Sequence, residues 1–179
     1  MEQELLKKIE ENHIVFIKTE LTLGDASNII FRLMNWGKNE PEQEIKLFVS
    51  SECHVFANII AIYDVLKTIP NPISVYCIGK VAGFAVILLA AANKKSRYIL
   101  KHTLIALEQP IGFVESGPNQ ETELSIESNN LIEERKIFEE ILSESFNIDI
   151  KKLHKLCDDD TELDAQEALN LGLVDYILE

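Results

Sequence analysis

Ile73-Ser74-Val75-Tyr76-Cys77-Ile78-Gly79 is a β-branched and aromatic run that ends at a glycine. After Lys80-Val81 it gives way to Ala82-Gly83-Phe84-Ala85-Val86-Ile87-Leu88-Leu89-Ala90-Ala91-Ala92. The first run predicts a strand over 73–78, separated by Pro70 and Pro72 from whatever precedes it. The second predicts a small-residue helix over 82–92 that is apolar on every side and therefore buried. A buried strand entering a buried helix through a glycine turn is half of a βαβ unit.

The same alternation extends outward from this stretch. Upstream, the apolar recurrence Ile59, Ile62, Tyr63, Leu66 and Ile69 predicts a helix from about Val55, and Ile45-Lys46-Leu47-Phe48-Val49 predicts a strand. Before that, Asp25 and Ser27 are candidate caps for a helix carrying Ile29, Ile30, Leu33 and Met34, with Gly37 at its C-terminal end. His13 to Ile17 reads as the first strand. Downstream, strands are expected near 98–100 and 104–107, an exposed Gly-Pro loop over 115–121, and a long helix over 122–146. Ala165 to Leu171 then reads as a helix and Leu173 to Leu178 as a strand. The class is α/β, a single domain over 1–179. The stripe Leu124, Ile126, Leu131, Ile132, Ile137, Phe138, Ile141 and Leu142 fits either a helix packed on its own core or one that projects to meet another subunit. The second is the expectation, because the stripe is broad for so small a domain.

The chain has 179 residues, 46% hydrophobic and 26% charged, with a formal net charge of −13. Such an excess of acid argues against nucleic acid and anionic membrane as partners. No signal segment is legible at the start, and the apolar stretch 81–92 is about half the length of a membrane span. Cys53, Cys77 and Cys157 are too few and too scattered for a disulfide framework or a zinc site, which suits a reducing, cytoplasmic setting. His13, His102 and His154 have no metal-ligand spacing.

Five short segments, in order and spacing, carry a resemblance: Ile62-Tyr63-Asp64, Cys77-Ile78-Gly79, Leu88-Leu89-Ala90-Ala91, Gln109-Pro110-Ile111-Gly112, and Ala165-Gln166-Glu167-Ala168 with Gly172-Leu173-Val174-Asp175. Over residues 8–178 the chain resembles the proteolytic subunit of the Clp protease family. The resemblance implies the fold that this family shares with crotonase-type acyl-CoA enzymes: repeated βαβ units with a long projecting handle helix. That family is one of ATP-dependent serine endopeptidases, and its nucleophile turn is similar to Gly79-Lys80-Val81-Ala82-Gly83-Phe84. The triad-equivalent positions are then Gly83 for the serine, Glu108 of Glu108-Gln109-Pro110 for the histidine, and Asp160 for the aspartate. His54 and Phe84 would stand at the oxyanion positions, and Ser50-Ser51-Glu52-Cys53-His54 replaces a glycine-bearing substrate loop.

A hydroxyl attack on an amide needs a nucleophile, a base and a group that orients the base. Losing a serine or histidine from such a triad costs on the order of a million-fold in turnover. The expectation is therefore a pseudoenzyme, a non-catalytic, structural or regulatory ring subunit without cofactor or metal. The alternative is a hydrolase working through Cys53, or an acyl-CoA-handling enzyme with altered chemistry. The resemblance further implies self-association into heptameric or double heptameric rings, an active paralogue and an AAA+ unfoldase as partners, and a rim pocket at Phe48, Tyr76, Ile78, Tyr98, Leu100 and Leu178. These six positions fit either the core or the rim.

Overall fold

The computed structural model describes residues 2–18, 21–111 and 121–179. In chain order the elements are α1 (Glu2–Glu11), β1 (Ile14–Ile17), α2 (Leu23–Asn39), β2 (Ile45–Cys53), α3 (Phe56–Thr68), β3 (Ile73–Gly83), a 3-10 helix (Phe84–Ala91), β4 (Arg97–Leu100) and β5 (Leu104–Leu107). They are followed by α4 (Glu121–Phe146), α5 (Ile150–Asp158), β6 (Thr161–Leu163), α6 (Ala165–Leu171) and β7 (Tyr176–Leu178). This is a mixed α/β fold consistent with that of the Clp proteolytic subunit. The loop expected over 115–121 lies outside the described residues up to position 120.

The sheet runs β1-β2-β3-β4-β7, all parallel, and β3 forks. Its first half, Val75 to Cys77, pairs with β4, and its second half, Lys80 to Ala82, pairs with β5, which carries β6 antiparallel on its far side. The fork turns on Gly79, whose φ of 67° lies where a Cβ is disfavoured. Beside it the β2–β3 register slips between Val49 and Ser51. The glycine read as a strand terminator thus bends the strand and lets it run on to Gly83. β2 likewise continues through Ser50-Ser51-Glu52-Cys53, so the stretch expected as a free loop is paired: Ser51 lies opposite Val81 and Cys53 opposite Gly83.

Alternation explains the faces of β2. Ile45, Leu47, Val49, Ser51 and Cys53 are buried, while the residues between them face outward. The buried side is filled by the 3-10 helix, in which every residue from Phe84 to Ala91 is buried, and by Ile59, Ile62 and Leu66 of α3. The apolar run 82–92 is buried as its composition predicts, but it winds as a 3-10 helix. α2 begins at Thr22, whose Oγ1 accepts from the Asp25 N–H, while the Asp25 carboxylate accepts from the Thr22 N–H. The Thr22 hydroxyl, which donates to the same carboxylate at 2.7 Å, and then the Thr22 N–H of this capping box hold the Asp25 carboxyl below its ordinary pKa. Gly37 sits inside the helix, not at its end. A Cβ there would come within 2.7 Å of Ile69 Cγ2, so close packing of α3's end explains the glycine.

Phe138 and Leu142 of α4 are 1% and 0% exposed and belong to the chain's own core, with Phe138 edge-on to Phe84 at 5.8 Å. Two residues of the proposed intersubunit stripe are therefore internal packing. Among the described residues, Ile126 and Ile132, each 60% exposed, and Ile137 are the large apolar side chains that α4 turns outward. α1, α5 and β6 were not expected. α5 is started by Asp149, whose Oδ1 accepts from the Lys151 and Lys152 N–H groups.

Candidate functional site

Gly83 stands at the junction of β3 and the 3-10 helix with φ 58° and ψ −143°, the sharp strand-to-helix turn that the sequence predicts. Such a turn exposes its central residue at the end of the sheet and starts a helix whose first N–H groups lack partners within it. Around it lie His54, Phe84, Glu108, Pro110 and Phe138. Each arrives from a different direction: His54 follows β2, Phe84 opens the 3-10 helix, Glu108 and Pro110 follow β5, and Phe138 comes from α4. Asp160 stands one residue removed. Its Oδ1 accepts from the Gln109 N–H at 3.2 Å, tying the turn before β6 to the strand end that carries Glu108.

The structure thus brings together four of the residues that the sequence assigned to a triad and its oxyanion positions, Gly83, Glu108, His54 and Phe84, with Asp160 joined to them through the Gln109 N–H. It also shows what fills the space. The space left between these residues is too small for a water molecule. A Cβ on Gly83 would lie 2.8 Å from the Cys53 carbonyl oxygen and 3.0 Å from His54 Nδ1, and that buried Nδ1 has no hydrogen-bond partner among the described residues. Glu108 faces a cation, not an imidazole. Lys80 Nζ lies 3.8 Å from Glu108, 3.8 Å from Glu52 and 2.9 Å from Glu162. The bond to Glu162 and the neighbouring carboxylates hold the Lys80 ammonium above its ordinary pKa. The Cys53 thiol is buried and its pKa raised by burial, with its sulfur turned to the Val55 carbonyl. Buried, neutral sulfur is the opposite of an activated nucleophile. Among the described residues no group of three or more His, Cys, Asp or Glu could hold a metal ion.

The six rim positions lie on the other side of the sheet from the 3-10 helix. Phe48, Tyr76 and Tyr98 are in-register neighbours on β2, β3 and β4, so their rings stack at 4.7 and 4.8 Å, the spacing between strands. Phe16 extends the ladder on β1 at 5.3 Å and Tyr176 on β7 at 5.4 Å. Both were missed in the sequence, and pairing register is the signal that finds them. Leu100 is exposed, Ile78 and Leu178 half-buried. Each stacked pair is worth about 0.5–1.5 kcal/mol, yet the row stays open to solvent along one side.

A parallel sheet built by crossovers, a helix entered through a glycine elbow and a long helix covering that elbow are consistent with the class of Clp proteolytic subunits. The Clp protease family model matches residues 1–179. The chain is 33% identical over 177 residues to the ATP-dependent Clp protease proteolytic subunit 2 of Streptomyces avermitilis, covering 98% of this chain and 86% of that one. It is 27% identical to proteolytic subunit 1 of Bifidobacterium longum, over 99% and 75% of the two chains. To proteolytic subunit 2 of Streptomyces coelicolor it is 26% identical, over 96% and 78%. The chain belongs to the Clp protease family.

This membership overturns one expectation. The chain was expected not to be an enzyme, but the family is enzymatic and the relatives are named proteolytic subunits. The residues at positions 83 and 108 differ from a serine and a histidine, and that difference alone does not establish inactivity. Among the described residues, no helix is long and apolar enough to cross a membrane.

Proposed function

We propose that this chain, folded as one domain over 1–179, is a cytoplasmic ring-building and regulatory subunit of a Clp-type protease assembly. Its regulatory part is the aromatic face of the sheet, which would receive an apolar loop of an AAA+ unfoldase. The observation that carries this reading is the ladder of Phe48, Tyr76 and Tyr98 flanked by Leu100 and Leu178. A row of rings on the solvent side of a sheet does not serve the chain's own core, and large aromatic surface is typical of contact centres. Gly83, Glu108 and Asp160 occupy the triad-equivalent positions in this reading, and His54 and Phe84 the oxyanion-equivalent ones. The relatives' names number their subunits 1 and 2, which supports an assembly shared with a second proteolytic chain; the ring in this reading is heptameric. The exposed Ile126 and Ile132 of α4 suit contact between two such rings.

The test is light scattering of the chain alone and mixed with a triad-complete subunit, followed by degradation of an unfolded substrate with an AAA+ partner. Rings are expected, and Tyr98→Asp is expected to abolish the unfoldase-dependent rate while leaving the rings intact. A strict monomer under both conditions overturns the reading.

A further inference from the structure

We propose that the groove at Gly83 is closed from within: the His54 imidazole occupies the space over Gly83, and the Lys80 ion pairs hold the surrounding strand ends shut around it. This goes beyond ring building. It rests on the family's use of a polypeptide groove and not on assembly, so a failure of either reading leaves the other standing.

Three observations converge. First, the imidazole lies against the elbow, with Nδ1 at 3.0 Å and Cε1 at 3.2 Å from where a Cβ on Gly83 would stand. No water fits in what remains between His54, Gly83, Phe84, Glu108, Pro110 and Phe138. Second, Nδ1 is buried without a partner among the described residues, an arrangement that carries a desolvation cost. A side chain held at such a cost, at the end of a strand, is released by rotation about its own χ1 with no change in the sheet. Third, Lys80 on β3 joins Glu52 on β2, Glu108 at the end of β5 and Glu162 on β6. One ammonium thereby ties β3 to β2 and β6 and to Glu108, which itself lines the pocket. An extended peptide entering there must displace the ring and loosen these pairs. The device is an autoinhibitory contact, and the groove opens when His54 swings out.

The test uses the full chain and a short, uncharged, fluorescein-labelled peptide containing leucine and alanine, with binding read by fluorescence anisotropy. His54→Gly is expected to bind it about tenfold tighter than the parent, equivalent to ~1.4 kcal/mol. Free imidazole, which refills the vacated space, is expected to reverse the gain in the variant and to leave the parent unchanged. Glu162→Gln, which removes the shortest Lys80 pair, is expected to give a smaller gain. Equal affinity of parent and His54→Gly, or a gain that imidazole does not reverse, overturns the proposal. An independent reading that does not need the glycine variant is thermal. Gly83→Ala should lower Tm, and His54→Ala added to it should recover part of the loss. A Gly83→Ala chain as stable as the parent, or one that His54→Ala does not relieve, overturns the proposal equally.

Discussion

Truncating Phe138 separates the two roles that a long amphipathic helix can have. Its ring is 1% exposed, packs edge-on against Phe84 at 5.8 Å and closes the pocket beside Gly83. Phe→Ala at such a site removes the transfer free energy of the ring and leaves a cavity, for a combined ~3–5 kcal/mol. The edge-on pair accounts for ~0.5–1.5 kcal/mol of that. With a urea m value of about 1–3 kcal/mol/M, the midpoint should fall by roughly 2 M. Ile132 is the internal comparison: at 60% exposed on the same helix, Ile132→Ala should change stability by no more than about 0.5 kcal/mol. The assay is equilibrium urea unfolding followed by circular dichroism, at protein concentrations varied to separate unfolding from dissociation. Phe138→Ala costing less than about 1 kcal/mol, or Ile132→Ala costing as much as Phe138→Ala, would refute the assignment of Phe138 to the core. Phe138→Glu should by the same reasoning unfold the chain, where an interface residue would only dissociate it.

Gly37→Ala should cost about 1–3 kcal/mol in the same assay, because the added methyl meets Ile69 Cγ2 at 2.7 Å. Arg97→Met removes the guanidinium that donates to both Asp175 oxygens, at 2.8 and 2.6 Å, and to the Gly172 carbonyl at 3.0 Å, and should cost about 2–4 kcal/mol. Asp175 is partly desolvated, which alone would raise its pKa, yet Arg97 draws the carboxyl below its ordinary value. A depressed carboxyl stabilises the fold above its unfolded pKa, and the contribution is lost as pH falls below about 4. The acid limb of a stability–pH curve should therefore be shallower in Arg97→Met than in the parent. Burial pushes the Cys77 and Cys157 thiols up to about 12, and Cys53 is raised and buried too. At pH 8 a water-soluble disulfide reagent should label the native chain slowly and all three thiols rapidly in denaturant; fast native labelling would contradict this packing.

The fold was legible where composition leaves one option. A run such as Ile73 to Ile78 followed by eleven small and apolar residues has no stable home except a buried crossover. The elbow followed, because a turn between such elements can fall only at residues 82–84, and Gly83 stands there with φ 58°. Glycines were the weak point. At Gly79 and Gly37 the sequence signals an end, but a positive φ at one bends a strand that continues, and a neighbour's methyl at the other demands an absent side chain. Neither cause is visible without the third dimension. The same holds for His54 and Lys80: their partners come from segments 28 to 82 positions away, set by register and not by spacing. On α4 the apolar residues were read as one broad stripe, but the structure sends Phe138 and Leu142 into the core and leaves Ile126, Ile132 and Ile137 exposed, a division set by where the 3-10 helix lies beneath the helix.

The order of the strands has a consequence for how the chain is made. β4 is emitted at residues 97–100, while its outer neighbour β7 arrives only at 176–178. A nascent chain thus carries an open, hydrogen-bonding sheet edge through the synthesis of some seventy-five residues, at about 5–20 residues per second. An unpaired edge of this kind invites another chain. Arg97, which grips Asp175 from the first residue of β4, is the group positioned to seize the last strand as it emerges. Ribosome stalling or truncation a few codons before Tyr176 should accordingly leave a product that pairs with its neighbours rather than with itself.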